Sequence, residues 1–147
     1  MNFLAKHNIF YYLLQFTWGI IMNIVGGVMA LFMLITGHKP HKFGPAIYFQ
    51  LKEKDGYGFS LGMFFVIGKT ADVLKEHEFG HTLQNIIYGP IAPFIVYIPS
   101  VIRYQYFNFK YWKKGLNSPD YNRIWFEKQA SLFGNIFIAY DSLRKEN

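Results

Sequence analysis

The stretch Lys75-Glu76-His77-Glu78-Phe79-Gly80-His81-Thr82-Leu83-Gln84 sets two histidines four positions apart, with a glutamate directly after the first. On a helix, positions i and i+4 stand one above the other on the same face. Two imidazoles so placed can meet at one point about 2.0–2.1 Å from each nitrogen, the distance a Zn²⁺ ion requires. Glu78 comes next round the helix, beside that point. A carboxylate there can take a proton from a water that the metal has acidified toward a pKa of ~7. Gly80 leaves room over the helix for a substrate or a strand.

The flanks read as helix boundaries. Thr70 is an N-cap candidate and Asp72 suits the positive end of the dipole. Gly89-Pro90 stops the helix near Tyr88, so the pattern falls mid-helix.

Cysteine is absent, so any metal must use His, Asp or Glu. A catalytic zinc site takes three protein ligands and keeps one position open. The sequence HEFGHTLQNIIYG has no third histidine at H-x-x-G-x-x-H spacing, which excludes the metzincin arrangement. The third-ligand candidates downstream are Asp120, Glu127, Asp141 and Glu146, and upstream His7, His38 and His41. Glu127 leads, as an isolated carboxylate among apolar neighbours in Trp125-Phe126-Glu127-Lys128-Gln129-Ala130-Ser131. The rival reading is a solvated pair with Arg123 at i−4. Asp120 and Asp141, near helix ends, read as caps or outer partners.

HEFGH followed by Glu127-x-x-Ala130-Ser131 resembles the gluzincin pattern of HExxH plus a distal E-x-x-A-[DS]. It is similar to that of the membrane-anchored zinc peptidases that include the bacterial heat-shock membrane protease and the CAAX prenyl endopeptidase. The resemblance covers residues 57 to 134. It implies an active-site helix, a second helix donating the glutamate, and an edge strand lining the cleft. His77, His81 and Glu127 would then be the zinc ligands and Glu78 the base. This chain departs from that pattern in its fewer membrane helices, its shorter insert before the glutamate, and a serine at 131 where aspartate is common. It would be a minimal form.

Zincin substrates pair as an added strand on a sheet edge, and Gly58 to Met63 is the candidate edge, with Ser60, Leu61 and Gly62 as substrate-binding positions. Tyr88, Tyr121 and Arg123 are candidates for stabilising an oxyanion.

The N-terminal part reads as a membrane anchor. From His7 to His38 there is no Asp, Glu, Lys or Arg. The apolar run Ile9 to Gly37 exceeds the roughly 20 residues a spanning helix needs and is too long for a signal peptide. Gly26 and Ala30 form a small-xxx-small pair that would admit another helix, and Asn23 should bond to a neighbouring helix or carbonyl. Lys39, Lys42, Lys52 and Lys54 follow the run, which by the positive-inside rule puts the C-terminal side in the cytoplasm.

Ala46 to Lys52 and Tyr57 to Gly68 read as a β-hairpin about Lys54-Asp55-Gly56. Ile86 to Ile102 is apolar but broken by Pro90, Pro93 and Pro99, which favours a kinked or re-entrant segment over a regular span. Basic and aromatic residues interleave from Arg103 to Lys114, as at a membrane–water interface. Ser118-Pro119 should start a helix running through Glu127 to about Phe133 or beyond.

Apolar residues make up 52% of the chain and charged residues 16%, against roughly a quarter charged in soluble domains. With that balance the net charge of +6 points to anionic lipid rather than nucleic acid.

The expected protein is an α+β integral membrane mini-zincin. It has a transmembrane anchor at 1–38 and a zincin-like domain at 39–147 whose apolar segment 86–102 is membrane-associated. Its expected place is a bacterial inner membrane, with Zn²⁺ as cofactor and a peptide or membrane-protein segment as substrate. Two rival readings are a non-enzymatic zinc-stabilised membrane protein, such as an adaptor or toxin-associated factor, and a metal-free membrane interaction protein built on the Gly26/Ala30 face.

Overall fold

A computed structural model describes residues 8–52, 58–69, 74–112 and 124–146. The apolar N-terminal run folds as two helices, α1 (Asn8–Phe16) and α2 (Ile20–Ile35), bent by 95° at a short break. The expected single helix over Ile9–Gly37 is therefore not formed. At Thr17-Trp18-Gly19 the ladder loses its register, Thr17 N–H still bonding the Leu13 carbonyl and Gly19 N–H reaching back to Leu14, and polar side chains brace the corner. Asn23 Nδ2 donates to the Gln15 and Gly19 carbonyls and to Gln15 Oε1. Among the described residues no single helix is long and apolar enough to cross a membrane.

Four strands follow: β1 (Pro40–Phe43), β2 (Ala46–Gln50), β3 (Gly58–Leu61) and β4 (Phe64–Ile67), in the order β1-β2-β4-β3. The expected hairpin of Ala46–Lys52 with Tyr57–Gly68 is not formed. Residues 58–67 instead hold two strands, β3 and β4, which pair antiparallel about Gly62-Met63, while β2 pairs parallel with β4. Gly62 makes the tight turn at φ +64, a conformation that costs glycine little. Lys54-Asp55-Gly56, and the caps at Thr70 and Ser118, lie outside the described residues.

Strand residues alternate between two faces. Ala46, Tyr48, Phe65 and Ile67 face one buried cluster with Phe79, Leu83, Ile86, Phe137 and Tyr11. Phe49 and Val66 face the other cluster, with Ala30 of α2. The sheet is thus covered on both sides. Gly26 sits against the Leu61 carbonyl, so close that a Cβ there would overlap it. The small-residue face of α2 therefore packs on the sheet and not on another helix.

On the other side lie α3 (Lys75–Tyr88) and α5 (Trp125–Glu146). Gly89, at φ +51, ends α3. The Pro-rich stretch then runs as a 3₁₀ turn (Gly89–Ile91), a π-helical turn (Pro93–Tyr97) and α4 (Ile98–Trp112), turned back on α3 by 118°. Pro99 lies where the π-helical turn passes into α4, and its missing N–H removes one bond to the preceding turn.

Candidate metal centre

Two glycines set the distance between α3 and α5. A Cβ on Gly80 would overlap the Ala130 carbonyl, and one on Gly134 would overlap the Glu76 carbonyl. The backbones meet at van der Waals contact, and Glu127 is carried into reach of α3. Gly80 thus makes room for a second helix and not, as expected from sequence, for a substrate or a strand.

Glu127 Oε2 lies 3.0 Å from His77 Nε2 and 3.2 Å from His81 Nε2. One ligand atom from each of the three residues lies within 4.8 Å of the others. Glu127 is fully buried and His81 nearly so. Among the described residues Asp141, His38 and His41 do not join the group. His7, Asp120, Tyr121, Arg123 and the side chain of Glu146 lie outside the described residues.

The remaining ring nitrogens are also engaged. Gln84 Nε2 donates to the Phe126 carbonyl (2.7 Å) and to Gln129 Oε1 (3.0 Å). Its Oε1 is therefore an acceptor, and His81 Nδ1, 2.8 Å away, must carry the hydrogen. Ser131 donates to the Glu127 carbonyl, which leaves its oxygen to accept from His77 Nδ1 at 2.8 Å. Both neutral imidazoles then hold a lone pair on Nε2. Two lone pairs and a carboxylate oxygen converge with no hydrogen between them. Such a set repels itself unless a cation sits at its centre or protons are taken up. Neutral imidazole nitrogens with a carboxylate, each held by an outer hydrogen bond, fit zinc.

Without a cation the histidines must compensate. Burial lowers the pKa of His81, but its hydrogen bond to Glu127 and the charge of Glu78 outweigh burial and raise it above its ordinary value. Burial would raise Glu127, yet hydrogen bonds from His77, His81 and Ser100 hold its carboxyl well below the usual range.

The three residues open onto a cavity of ≈ 270 Å³. Its wall includes Gly58, Ser60 and Leu61 of β3, Glu78 of α3, and Val96, Tyr97 and Ser100 from the Pro-rich turn and α4. Among the described residues β3 is an edge strand, bonded only to β4. Ser60 and Leu61 line the cavity, whereas Gly62 does not and packs its turn against Asn23. The Ser60 hydroxyl is 2.6 Å from Glu78 Oε2 and 2.8 Å from the Glu78 carbonyl, so it orients the carboxylate. Burial pushes Glu78 up, against the pull of His81 and His77.

Several contributors have no plain sequence signal. Gly58 is bare because the Glu78 carboxylate occupies the space a Cβ would fill. Ser100 lies 2.8 Å from Glu127 Oε1, from a segment that reads only as apolar. Tyr97 reaches the cavity from the π-helical turn and lies 3.4 Å from the His81 carbonyl. Of the tyrosines expected to face an oxyanion, Tyr88 is turned to Gln129 Oε1 at 2.7 Å and does not line the cavity. Only Gln84, one turn after His81, could have been read as a partner from spacing.

No protein family, curated protein or solved structure matches this chain. The site is therefore judged on its own geometry.

Proposed function

We propose that this protein is a zinc-dependent, membrane-associated endopeptidase of minimal gluzincin type. The observation that carries the reading is the convergence of the Nε2 atoms of His77 and His81 on a buried carboxylate oxygen of Glu127, beside a second carboxylate in the same cavity. His77, His81 and Glu127 would hold the ion. Zinc there would supply Lewis acidity, lowering the pKa of water toward ~7 and polarising a peptide carbonyl.

The rest of the work falls to the chain itself. Glu78, aimed by Ser60, takes the proton from the attacking water and passes it to the leaving amine. An extended peptide lying along β3 would bond to the open strand edge and carry its scissile bond past Glu78. Tyr97 and Tyr104 both line the cavity and are the phenols available there to meet a developing oxyanion.

Membrane association is supported by what the outer helices expose. Ile9, Leu13, Ile24, Val28, Leu31 and Ile35 on α1 and α2 are each more than half exposed, as are Phe94, Val101 and Ile102 near α4. Both bent helix pairs together have the apolar length of a span. Lys39, Lys42 and Lys52 beyond α2 favour the cytoplasmic side of an inner membrane. The substrate would be a peptide or membrane-protein segment near that surface.

The test is metal analysis of the purified protein with proteolysis assayed alongside. Wild type should hold one zinc, His81→Ala and Glu127→Ala should lose it, and Glu78→Gln should keep it while losing activity 10²–10⁴-fold, the usual worth of a general base. Zinc retained by Glu127→Ala would refute the ligand set. Equal activity of Glu78→Gln would leave a zinc-stabilised protein without this chemistry.

A further inference from the structure

A second cavity lies away from the candidate metal centre, where α2 ends. It encloses ≈ 530 Å³ and is lined by Gly37, His38, Lys39, His41, Gln50, Leu51, Lys52 and Lys69. Three lysines and two histidines thus line one hollow, and no carboxylate among the described residues does so. They come from three separate places: the connection after α2 and the start of β1, the end of β2, and the second residue after β4. The sheet alone brings them together, since β2 pairs with β4 and places Gln50 opposite Ile67. Gln50 Nε2 bonds the Lys69 carbonyl at 2.9 Å and ties the two far walls together. His41 stacks on Tyr48 with ring centroids 5.1 Å apart, which fixes its direction.

The carbonyls at the end of α2 would repel an anion, but they are already engaged. The N–H groups of Thr36, Gly37 and His38 cap Phe32, Leu34 and Met33, and the Thr36 hydroxyl also reaches Phe32 and Met33. Among the described residues, the charged side chains lining the hollow are all lysines. Immediately before it in the chain stand the most lipid-ready residues of α2, with Leu31, Leu34 and Ile35 exposed by 58%, 50% and 77%. A basic hollow one turn beyond an apolar helix face lies at the level of lipid headgroups if that face lies among acyl chains.

We propose that the hollow formed by Lys39, Lys52 and Lys69 binds the phosphate headgroup of an anionic phospholipid, and so fixes the depth and tilt of α2 in the bilayer. The inference rests on the membrane association proposed above but not on the metal centre. A juxtamembrane lysine near an anionic surface contributes about fivefold in affinity, so removing three should cost on the order of 100-fold.

The experiment uses the zinc-loaded full chain in neutral detergent micelles, titrated with phosphatidylglycerol or phosphatidylcholine, with bound lipid counted by native mass spectrometry. Wild type should retain phosphatidylglycerol selectively. The triple variant Lys39→Gln, Lys52→Gln, Lys69→Gln should lose that selectivity by about 100-fold while keeping its zinc content and melting temperature, which shows that it is folded. Unchanged phosphatidylglycerol binding by the triple variant would overturn the proposal. So would equal loss of both lipids, or inorganic phosphate displacing the lipid at the same concentration as the lipid itself binds. A wild type that takes up no zinc yet still selects phosphatidylglycerol would sink the metal reading alone and leave this site standing.

Discussion

Gln84 and Ser131 decide which nitrogen each imidazole offers to the centre. Each accepts from an Nδ1–H and so leaves Nε2 bare. A histidine freed of that partner can turn or change tautomer. Gln84→Leu should therefore weaken zinc binding about 10–100-fold, measured by competition with a chromophoric chelator, with His77, His81 and Glu127 all still present. Glu78 carries a different cost. Burial raises its pKa in the fold, so the folded state disfavours the carboxylate. That penalty is absent below the unfolded value of ~4.3 and grows as pH rises through it toward the folded value. In the chelated protein, Glu78→Gln should melt higher than wild type at neutral pH, and the gap should close as pH falls toward ~4. Thermal melts across that range check both the sign and the window. A gap that widened toward acid would show that Glu78 is stabilised as an anion.

At the scale of the elements, the crossing of α3 and α5 creates the centre. Two of the proposed ligands come from one helix and the third from the other, and Gly80 and Gly134 set their separation. Gly80→Ala pushes on the Ala130 backbone, which has no rotamer to yield with. Forced helix separation should cost about 3 kcal/mol or more in chemical denaturation and also lower zinc affinity. Gly58→Ala acts on one group only. Its methyl would meet the Glu78 carboxylate, so activity should fall while zinc is retained. A variant that loses zinc in equal measure would contradict the separate roles given to Glu78 and the ligands.

Across the whole molecule, the outer helices and the centre share one body. Tyr11 bonds Thr82 at 2.9 Å, Gln15 bonds the Thr82 carbonyl at 2.9 Å, and Asn85 Nδ2 lies 2.7 Å from Gln15 Oε1, all buried. Asn23 Oδ1 accepts the Met63 N–H at 2.7 Å and links α2 to the β3–β4 turn. Asn23→Ala would orphan that buried donor, a loss of about 1–3 kcal/mol in denaturant titrations. If the proposed centre holds zinc, it does so only in the assembled fold, so at a free concentration of 100 times its Kd zinc should add about 2.7 kcal/mol. That corresponds to a rise in Tm of roughly 10 °C in calorimetry. A melting temperature indifferent to zinc would mean that the three groups do not act together on one ion.

The spacing of His77, Glu78 and His81, and the stop at Gly89-Pro90, are local properties of one helix, where 3.6 residues per turn turns sequence distance directly into direction. Those were legible in the chain by itself, as were the α+β composition, the isolated Glu127 and the break forced by the prolines. Strand partners were not. Parallel pairing of β2 with β4, and the splitting of Tyr57–Gly68 into two strands, depend on which apolar faces the sheet can bury on its two sides. An apolar run also cannot announce its own bends: the corner after Phe16 is held by Asn23 and by Asn85, which belongs to a helix far along the chain. The meeting of Glu127 with the two histidines was only a candidate until tertiary packing joined them, because residues 46 positions apart come together through the contact of two helix backbones, and no local rule encodes that contact.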